Sequence, residues 1–173
     1  MGTSGMGLIS DKHRENYKAY YQALDGIDER PSRWQPLIEE IANRNSVETI
    51  LDYGCGGFPR LQRHMEGFAV TSYDPALPGF NYLPLNTFDF VVCIDVLEHV
   101  EPETLDDVID YLQGRADKVL LISVSTSPST KTLPDGSPWH CNVHDRAYWD
   151  ARFPDAKVID NSDGRDEVTY LWE

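Results

Sequence analysis

The chain has 173 residues, and its 15 Lys and Arg against 29 Asp and Glu leave a formal net charge of −14. This length suits a single domain, and a chain this acidic lacks the basic face that neutralises phosphates, so we expect no nucleic-acid partner. No apolar run approaches the ~20 residues that a membrane span requires, so we expect no membrane partner either.

The first predicted helix follows Ser10, which is a suitable N-cap, and ends before Asp25 and Gly26. It carries three tyrosines at near-helical spacing, Tyr17, Tyr20 and Tyr21. We expect these rings to pack against the core, and a lid over a binding site is the alternative.

A second helix is predicted before the first strand. Its apolar residues follow the i, i+3, i+4, i+7 spacing of an amphipathic helix, namely Trp34, Leu37, Ile38 and Ile41. We expect residues 1–45 to form helices that pack on or cap a core made by residues 46–173, with the whole chain forming one domain.

From residue 48 onward, strands and helices alternate. Apolar runs predict strands over residues 48–53, 69–73, 88–94 and 119–124, with helices over residues 59–66 and 104–114. A short helix near 145–153 precedes strands near 156–160 and 168–172, which we expect to pair as the antiparallel end of the sheet. This alternation predicts an α/β fold, a doubly wound, Rossmann-like three-layer sandwich with a mostly parallel sheet.

A glycine-rich turn follows the first strand, in the sequence ILDYGCGGFPRL of residues 50–61. Glycines allow a sharp turn and a close approach of the backbone to a ligand. Asp74 ends the next strand, 22 residues after Asp52, where a carboxylate can accept hydrogen bonds from both ribose hydroxyls. The pair favours a nucleoside-bearing cofactor over a turn without a ligand, and Pro59 argues against the dinucleotide fingerprint.

Two segments resemble motifs of the class I S-adenosylmethionine-dependent methyltransferases. Asp52, Gly54 and Gly56 match the first motif, D/E-x-G-x-G-x-G, in which Phe58 here replaces the last glycine. Residues 88–102, FDFVVCIDVLEHVEP, are similar to the fourth-strand motif of that family. The resemblance covers residues 48–126 well and the rest of the chain loosely.

The resemblance implies a methyltransferase that uses S-adenosylmethionine as its cofactor and transfers the methyl group directly, in line, to its acceptor. The acceptor would be a small molecule or an exposed group of a larger one. The residues implied in cofactor binding are Asp52, Gly54, Gly56, Asp74, Ile94 and Asp95.

One departure from the family concerns the third strand of the sheet. Only residues 76–87 separate the second predicted strand from the fourth-strand motif, which is too few for a parallel crossover with its helix. We expect the third strand to be missing or vestigial. This departure leaves open a second interpretation, a non-catalytic methyltransferase-like binding or assembly subunit.

Histidines are the candidate bases of the transfer, in the order His140, His99 and His144. Some relatives, among them the small-RNA 2′-O-methyltransferases, bind a divalent cation through similarly placed acids and histidines. Glu98 and His99 also suit a structural turn, so we expect no metal, and we expect His13 at the surface. Three scattered cysteines favour a reducing compartment, which predicts a cytoplasmic protein.

Overall fold

The computed structural model describes residues 7–24, 30–159 and 164–173. The strands found there are β1 (Thr49–Tyr53), β2 (Ala69–Tyr73), β3 (Phe88–Ile94), β4 (Ala116–Ser125), β5 (Lys157–Ile159) and β6 (Glu167–Trp172). The helices are α1 (Asp11–Gln22), α2 (Gln35–Arg44), α3 (Arg60–His64), α4 (Leu105–Gln113) and α5 (Arg146–Arg152). Two short 3₁₀ turns, Leu97–His99 and Pro102–Thr104, lie between β3 and α4.

The strands form one sheet in the order β2-β1-β3-β4-β6-β5. The first four of these strands are parallel to one another, and β6 pairs in antiparallel fashion with both β4 and β5. The predicted mostly parallel sheet with an antiparallel C-terminal pair is therefore confirmed. The carboxyl ends of β1, β2 and β3 meet at one edge of the sheet, where ligands bind in folds of this kind.

Helices cover both faces of the sheet, as the alternation of strands and helices predicts. Along β1, Leu51 and Tyr53 point to the face covered by α4 and α5, and Ile50 points to the face covered by α2 and α3. Period-two alternation between two apolar faces is the arrangement of a parallel sheet buried on both sides. The three-layer sandwich is confirmed.

The segment of residues 76–87 contains neither a helix nor a strand, only turns and bends. Consequently β2 is the edge strand, and the predicted loss of the third strand is confirmed. Leu83 packs against the core beside this edge, whereas the side chain of Leu85 is 74% exposed.

Helix α1 lies apart from the two sheet-covering layers. Tyr17 packs with Ala76 and Leu133, in the loops that follow β2 and β4. Ser10 caps the helix by accepting from the backbone N–H of His13, and both the N–H and the hydroxyl of Ser10 donate to the Glu101 carboxylate at 2.7 Å. This clamp fixes the first turn of α1 over the loop that follows β3. The domain boundary at residue 45 stays a prediction.

Two further observations concern membrane-spanning helices and the state of the cysteines. In the described part of the chain, no helix is both long and apolar enough to cross a lipid bilayer. The three cysteines, Cys55, Cys93 and Cys141, are free thiols.

Candidate functional site

The glycine turn after β1 begins with two backbone bonds to the neighbouring strand. The N–H groups of Gly54 and Cys55 both donate to the carbonyl oxygen of Tyr73, at 2.7 and 3.0 Å. Gly54 and Gly56 have φ angles of +78° and +66°, a region that favours glycine. A Cβ atom on Gly54 would lie 2.4 Å from Val96 Cγ2, whereas a Cβ atom on Gly56 would meet only open space.

Asp74 joins the end of β2 to the glycine turn. Its carboxylate accepts from the N–H of Gly56 at 3.1 Å, from the N–H of Ala76 at 2.9 Å and from the hydroxyl of Tyr21 at 3.0 Å. The side chain is buried, and burial raises the pKa of the Asp74 carboxyl above its ordinary value. The acid and the glycines that the sequence singles out therefore meet at one place.

Asp52 is a second buried carboxylate at the same edge of the sheet. Burial, followed by the nearby charge of Asp74, raises the pKa of Asp52 to about 7. A cation placed beside these two carboxyls would stabilise both ionised forms and so lower both pKa values.

Ile94 and Asp95 follow the same edge at the end of β3. Asp95 has a φ angle of +54°, and its N–H donates to the carbonyl oxygen of Ser123 at 2.9 Å. Its carboxylate lies 3.7 Å from the guanidinium of Arg33, which also forms a two-point ion pair with Glu167. Burial raises the pKa of the Asp95 carboxyl.

Two cavities meet at this edge of the sheet. Both are lined by Gly54, Gly56, Gly57 and Asp95. One cavity, of about 260 Å³, is mainly apolar and is bounded by α1. The other, of about 610 Å³, is polar and is lined by Asp52 and Ile94 together with four arginines, namely Arg30, Arg33, Arg60 and Arg165. The positive lining stands out in a chain with a net charge of −14.

Aromatic rings close the apolar cavity on the side of α1. Tyr17, Tyr20 and Tyr21 line it together with Trp139, whose ring centroid lies 4.2 Å from that of Tyr20. The hydroxyl of Tyr17 donates to the carbonyl oxygen of Trp139 at 2.9 Å. Of the three tyrosines only Tyr17 is buried, in a small cluster apart from the two sheet-covering layers, and all three line the cavity, as the alternative requires.

Two of the three candidate bases lie side by side. The rings of His99 and His140 meet edge to face with centroids 4.8 Å apart. Nδ1 of His99 donates to the carbonyl oxygen of Trp139 at 2.7 Å, and Nδ1 of His140 donates to that of Ser127 at 2.8 Å. Burial lowers the pKa of His99 to about 4, so its ring is neutral at pH 7.

His144 lies apart from this pair, against α5. Its ring stacks on Tyr148 with centroids 3.6 Å apart, and its Nε2 lies 2.9 Å from Oδ1 of Asn142. Neither His144 nor His140 lines the two cavities, whereas His99 borders the apolar one.

Glu98 is almost fully buried beside His99. Its Oε1 accepts from the N–H of Ser125 at 3.2 Å, and its Oε2 has no hydrogen-bond partner. Burial and the nearby charge of Asp95 raise the pKa of the Glu98 carboxyl to about 8. The expected surface position of His13 is wrong, because His13 is half-buried and its Nε2 lies 2.8 Å from the carbonyl oxygen of His99.

Trp139 and the four cavity-lining arginines were missed by the sequence analysis. The arginines come from separate segments and form no motif, so only the folded chain brings them together. Trp139 directly precedes His140, and this pairing of an aromatic residue with a candidate base was the one available signal.

Comparison with known proteins gives a consistent result. No curated protein sequence matches the chain. The DhpI structure in complex with SAH is similar at a TM-score of 0.63 and 16% identity, over 94% of this chain and 97% of that one. The 1,6-didemethyltoxoflavin-N1-methyltransferase of Burkholderia thailandensis is similar at a TM-score of 0.63 and 13% identity, over 91% and 85%. The magnesium protoporphyrin IX methyltransferase of Synechocystis PCC 6803 follows at 0.51 and 15%, over 93% of both chains.

At these sequence identities the similar structures show a shared fold. The family to which the chain belongs is shown by a match to a family model. Residues 27–165 match the methyltransferase domain family, which is well over half of the chain. The chain therefore belongs to the methyltransferase domain family and has the Rossmann-like fold of the class I S-adenosylmethionine-dependent enzymes.

Proposed function

We propose that the protein is an S-adenosylmethionine-dependent methyltransferase that transfers the methyl group directly to a small-molecule acceptor. The observation that supports this proposal most directly is the contact between Asp74 and the glycine turn, in which the N–H of Gly56 donates to the Asp74 carboxylate at 3.1 Å. It places a ribose-binding type of carboxylate against a backbone that leaves room for a ligand. Asp52, buried nearby, adds a second acid at the same edge of the sheet.

The residues fit the cofactor on two grounds. The open space above Gly56 is a cradle that a side chain would fill. Asp52 and Asp74 hold raised pKa values that a bound cation would bring down, because it stabilises both ionised forms. When bound, the cofactor supplies a methyl group on a positively charged sulfur, which is an activated donor.

We assign the binding roles along the sheet edge. Asp74 accepts from the ribose hydroxyls, Asp52 attracts the positive end of the cofactor, and Gly54 and Gly56 give the backbone its close approach. Ile94 and Asp95, at the end of β3, border the polar cavity beside Asp52. The family match and the sheet topology support these roles, since cofactors of doubly wound sheets bind at the carboxyl ends of the strands.

For the transfer itself, the protein has to align acceptor and donor and, where the acceptor is protonated, remove a proton. His140 and His99 are the proposed bases. The ring of His99 borders the apolar cavity and is neutral at pH 7, so it can accept a proton, and its pKa of about 4 makes it a weak base. The catalytic role of His144 stays a prediction, since its ring lies against α5.

Two observations favour a small acceptor over a macromolecule. The polar cavity of about 610 Å³ lies within the range of small-molecule sites, about 300–1,000 Å³, and the apolar cavity of about 260 Å³ adjoins it. The similar Burkholderia thailandensis enzyme was solved with bound 1,6-didemethyltoxoflavin, which is a small molecule. We further propose a cytoplasmic location, for which the three free thiols are the support.

Calorimetric titration with S-adenosylhomocysteine tests the proposal. The wild-type protein is expected to bind, and Asp74→Ala is expected to bind at least about tenfold more weakly, since hydrogen bonds to a charged group contribute about 1.5–3 kcal/mol each. Asp89→Asn, at the opposite end of the sheet, is the matched control and keeps wild-type affinity. No heat from the wild-type protein would contradict the proposal and favour a non-catalytic subunit.

A further inference from the structure

Three potential metal ligands converge below the apolar cavity. A carboxylate oxygen of Glu98, an imidazole nitrogen of His99 and an imidazole nitrogen of His140 all lie within 4.8 Å of one another. Glu98 and His99 come from the 3₁₀ turn after β3, and His140 comes from the loop after β4. Two separate segments of the chain therefore supply the group.

Each of the two histidines carries its proton on one ring nitrogen and leaves the other free, as a histidine that binds a metal does. Each Nδ1 faces a backbone carbonyl oxygen, that of Trp139 for His99 and that of Ser127 for His140. A carbonyl oxygen can only accept, so each Nδ1 carries the proton and each Nε2 keeps its lone pair. Among the described residues, neither Nε2 has a hydrogen-bond partner. Histidines that bind metals are held by this same bond from the other ring nitrogen.

Glu98 provides an independent second observation. Its side chain is 1% exposed, and Oε2 has no hydrogen-bond partner within the described structure. A buried carboxylate oxygen without a partner is unfavourable by about 1–3 kcal/mol or more, so proteins rarely leave one unsatisfied. Oε1 is already held by the N–H of Ser125. Each of the three residues in the group therefore keeps one polar side-chain atom without a hydrogen-bond partner within the described structure.

We propose that Glu98, His99 and His140 bind a divalent cation of the first transition series. Two imidazole nitrogens and one carboxylate oxygen suit Zn²⁺, Fe²⁺, Co²⁺ or Ni²⁺, whereas Mg²⁺ and Ca²⁺ prefer oxygen ligands. Ligands at about 2.0–2.2 Å from one tetrahedrally coordinated ion lie roughly 3.3–3.6 Å apart, so the ligand atoms of the three side chains have to approach one another by up to about 1.5 Å. This proposal replaces the expectation of no metal.

Three protein ligands leave coordination positions open, which is typical of catalytic rather than structural sites. His99 borders the apolar cavity, so a cation at this group would adjoin a molecule held there. Such a cation polarises a hydroxyl or carbonyl group that reaches it. The site shares no residue with the proposed cofactor site, but it contains both histidines proposed as bases. A cation held through their Nε2 atoms takes the place of that role, because it lowers the pKa of an acceptor hydroxyl that reaches it.

The test needs site-specific variants, because a chain with a net charge of −14 attracts cations over its whole surface. Chelator-treated protein is titrated with Zn²⁺ and with Co²⁺ by calorimetry at physiological ionic strength, and Co²⁺ is also followed by its visible absorption. We expect one tight site per chain. Glu98→Gln and His140→Asn are expected to weaken it by about tenfold or more, whereas His144→Asn, in the same loop, leaves the affinity unchanged.

Equal affinity in the wild-type protein and the two ligand variants would overturn the proposal, and so would the absence of saturable binding. His140→Asn keeps the proposal falsifiable if Glu98→Gln fails to fold, because His140 is half-buried in a loop and Asn can retain the bond to Ser127. Titration of the metal-free protein with S-adenosylhomocysteine separates the two proposals. Cofactor binding without metal binding overturns only this one, and metal binding in a protein that binds no cofactor still supports it.

Discussion

The hydroxyl of Tyr21 donates a 3.0 Å hydrogen bond to Oδ2 of Asp74, the oxygen that also accepts from the N–H of Gly56. The other carboxylate oxygen accepts from Ala76. Through Tyr21, helix α1 therefore occupies one of the acceptor positions that the hydroxyls of a ribose would use if Asp74 has its proposed role. Under this role a bound cofactor would replace the Tyr21 hydroxyl, so the observed position of α1 would compete with binding.

Removal of this competition is the basis of the first prediction. Tyr21→Phe keeps the ring that covers the cavity but leaves one donor fewer on Asp74. We expect the affinity for S-adenosylhomocysteine to rise severalfold, up to about tenfold, since a hydrogen bond to a charged group contributes about 1.5–3 kcal/mol and the ring still has to move. Tyr20→Phe is the control and leaves the affinity unchanged. Weaker binding by Tyr21→Phe would show that the hydroxyl assists the cofactor instead.

The glycine turn offers a matched pair of substitutions. Gly54→Ala forces a Cβ atom to 2.4 Å from Val96 Cγ2 and strains a positive φ, so we expect a stability loss of roughly 3 kcal/mol. Gly56→Ala meets open space and suffers only the backbone strain, about 1–2 kcal/mol. Gly56→Ala is nevertheless expected to abolish cofactor binding, because the methyl group enters the cradle. Thermal melting measures the loss of stability, and calorimetry measures cofactor binding. Normal binding by Gly56→Ala would show that the glycines form only a turn and do not contact the cofactor.

Asp52 makes stability depend on pH. The pKa of Asp52 is about 7 in the folded protein and about 3.9 in the unfolded chain, so the folded protein keeps the proton up to a higher pH. The stability from this group is complete below about pH 4 and is lost as the pH rises toward 7. Asp52→Asn has no carboxyl to ionise and does not lose this stability. We therefore expect the variant to be more stable than the wild type at pH 8, by about 4 kcal/mol at most, and to show no such gain at pH 4.

A control with the opposite sign accompanies this prediction. The N–H of Glu48 and the ammonium of Lys118 lower the pKa of Asp89, so its stabilisation is present at neutral pH and is lost in acid. Asp89→Asn is expected to be less stable than the wild type at pH 8. Denaturant unfolding at the two pH values checks both variants, and a destabilised Asp52→Asn at pH 8 would contradict the assigned pKa.

The sequence predicts the sheet well because local patterns determine it. Both ends of β3 and β2 are predicted at the observed residues. For β3 the reason is burial on two faces, which gives an almost uninterrupted apolar run, whereas the edge strand β2 lies between Gly67 and the Asp74-Pro75 turn. The missing third strand is equally predictable, because residues 76–87 are too few for a crossover. The meeting of Asp74 with the glycine turn follows from topology alone, since parallel strands bring their carboxyl ends to one edge.

The side of the site away from the sheet could not be predicted in this way. His140 lies 41 residues beyond His99 along the chain, and their contact depends on the path of a loop that has no periodic pattern. The bond from Tyr21 to Asp74 depends on where α1 packs, which apolar spacing does not specify. The unpartnered oxygen of Glu98 is a property of packing and has no signature in the sequence.

The clamp between Ser10 and Glu101 sets how α1 can leave the cofactor site. Ser10 and Tyr21 stand at opposite ends of the helix, about 17 Å apart at a rise of 1.5 Å per residue. With Ser10 as the pivot, a tilt of about 10° moves the far end by about 3 Å, which separates Tyr21 from Asp74 without melting a single turn. If the cofactor binds at Asp74 as proposed, α1 would leave the site as an intact helix, with the loss of its contacts from His13, Asn16 and Tyr17 rather than of its own backbone hydrogen bonds.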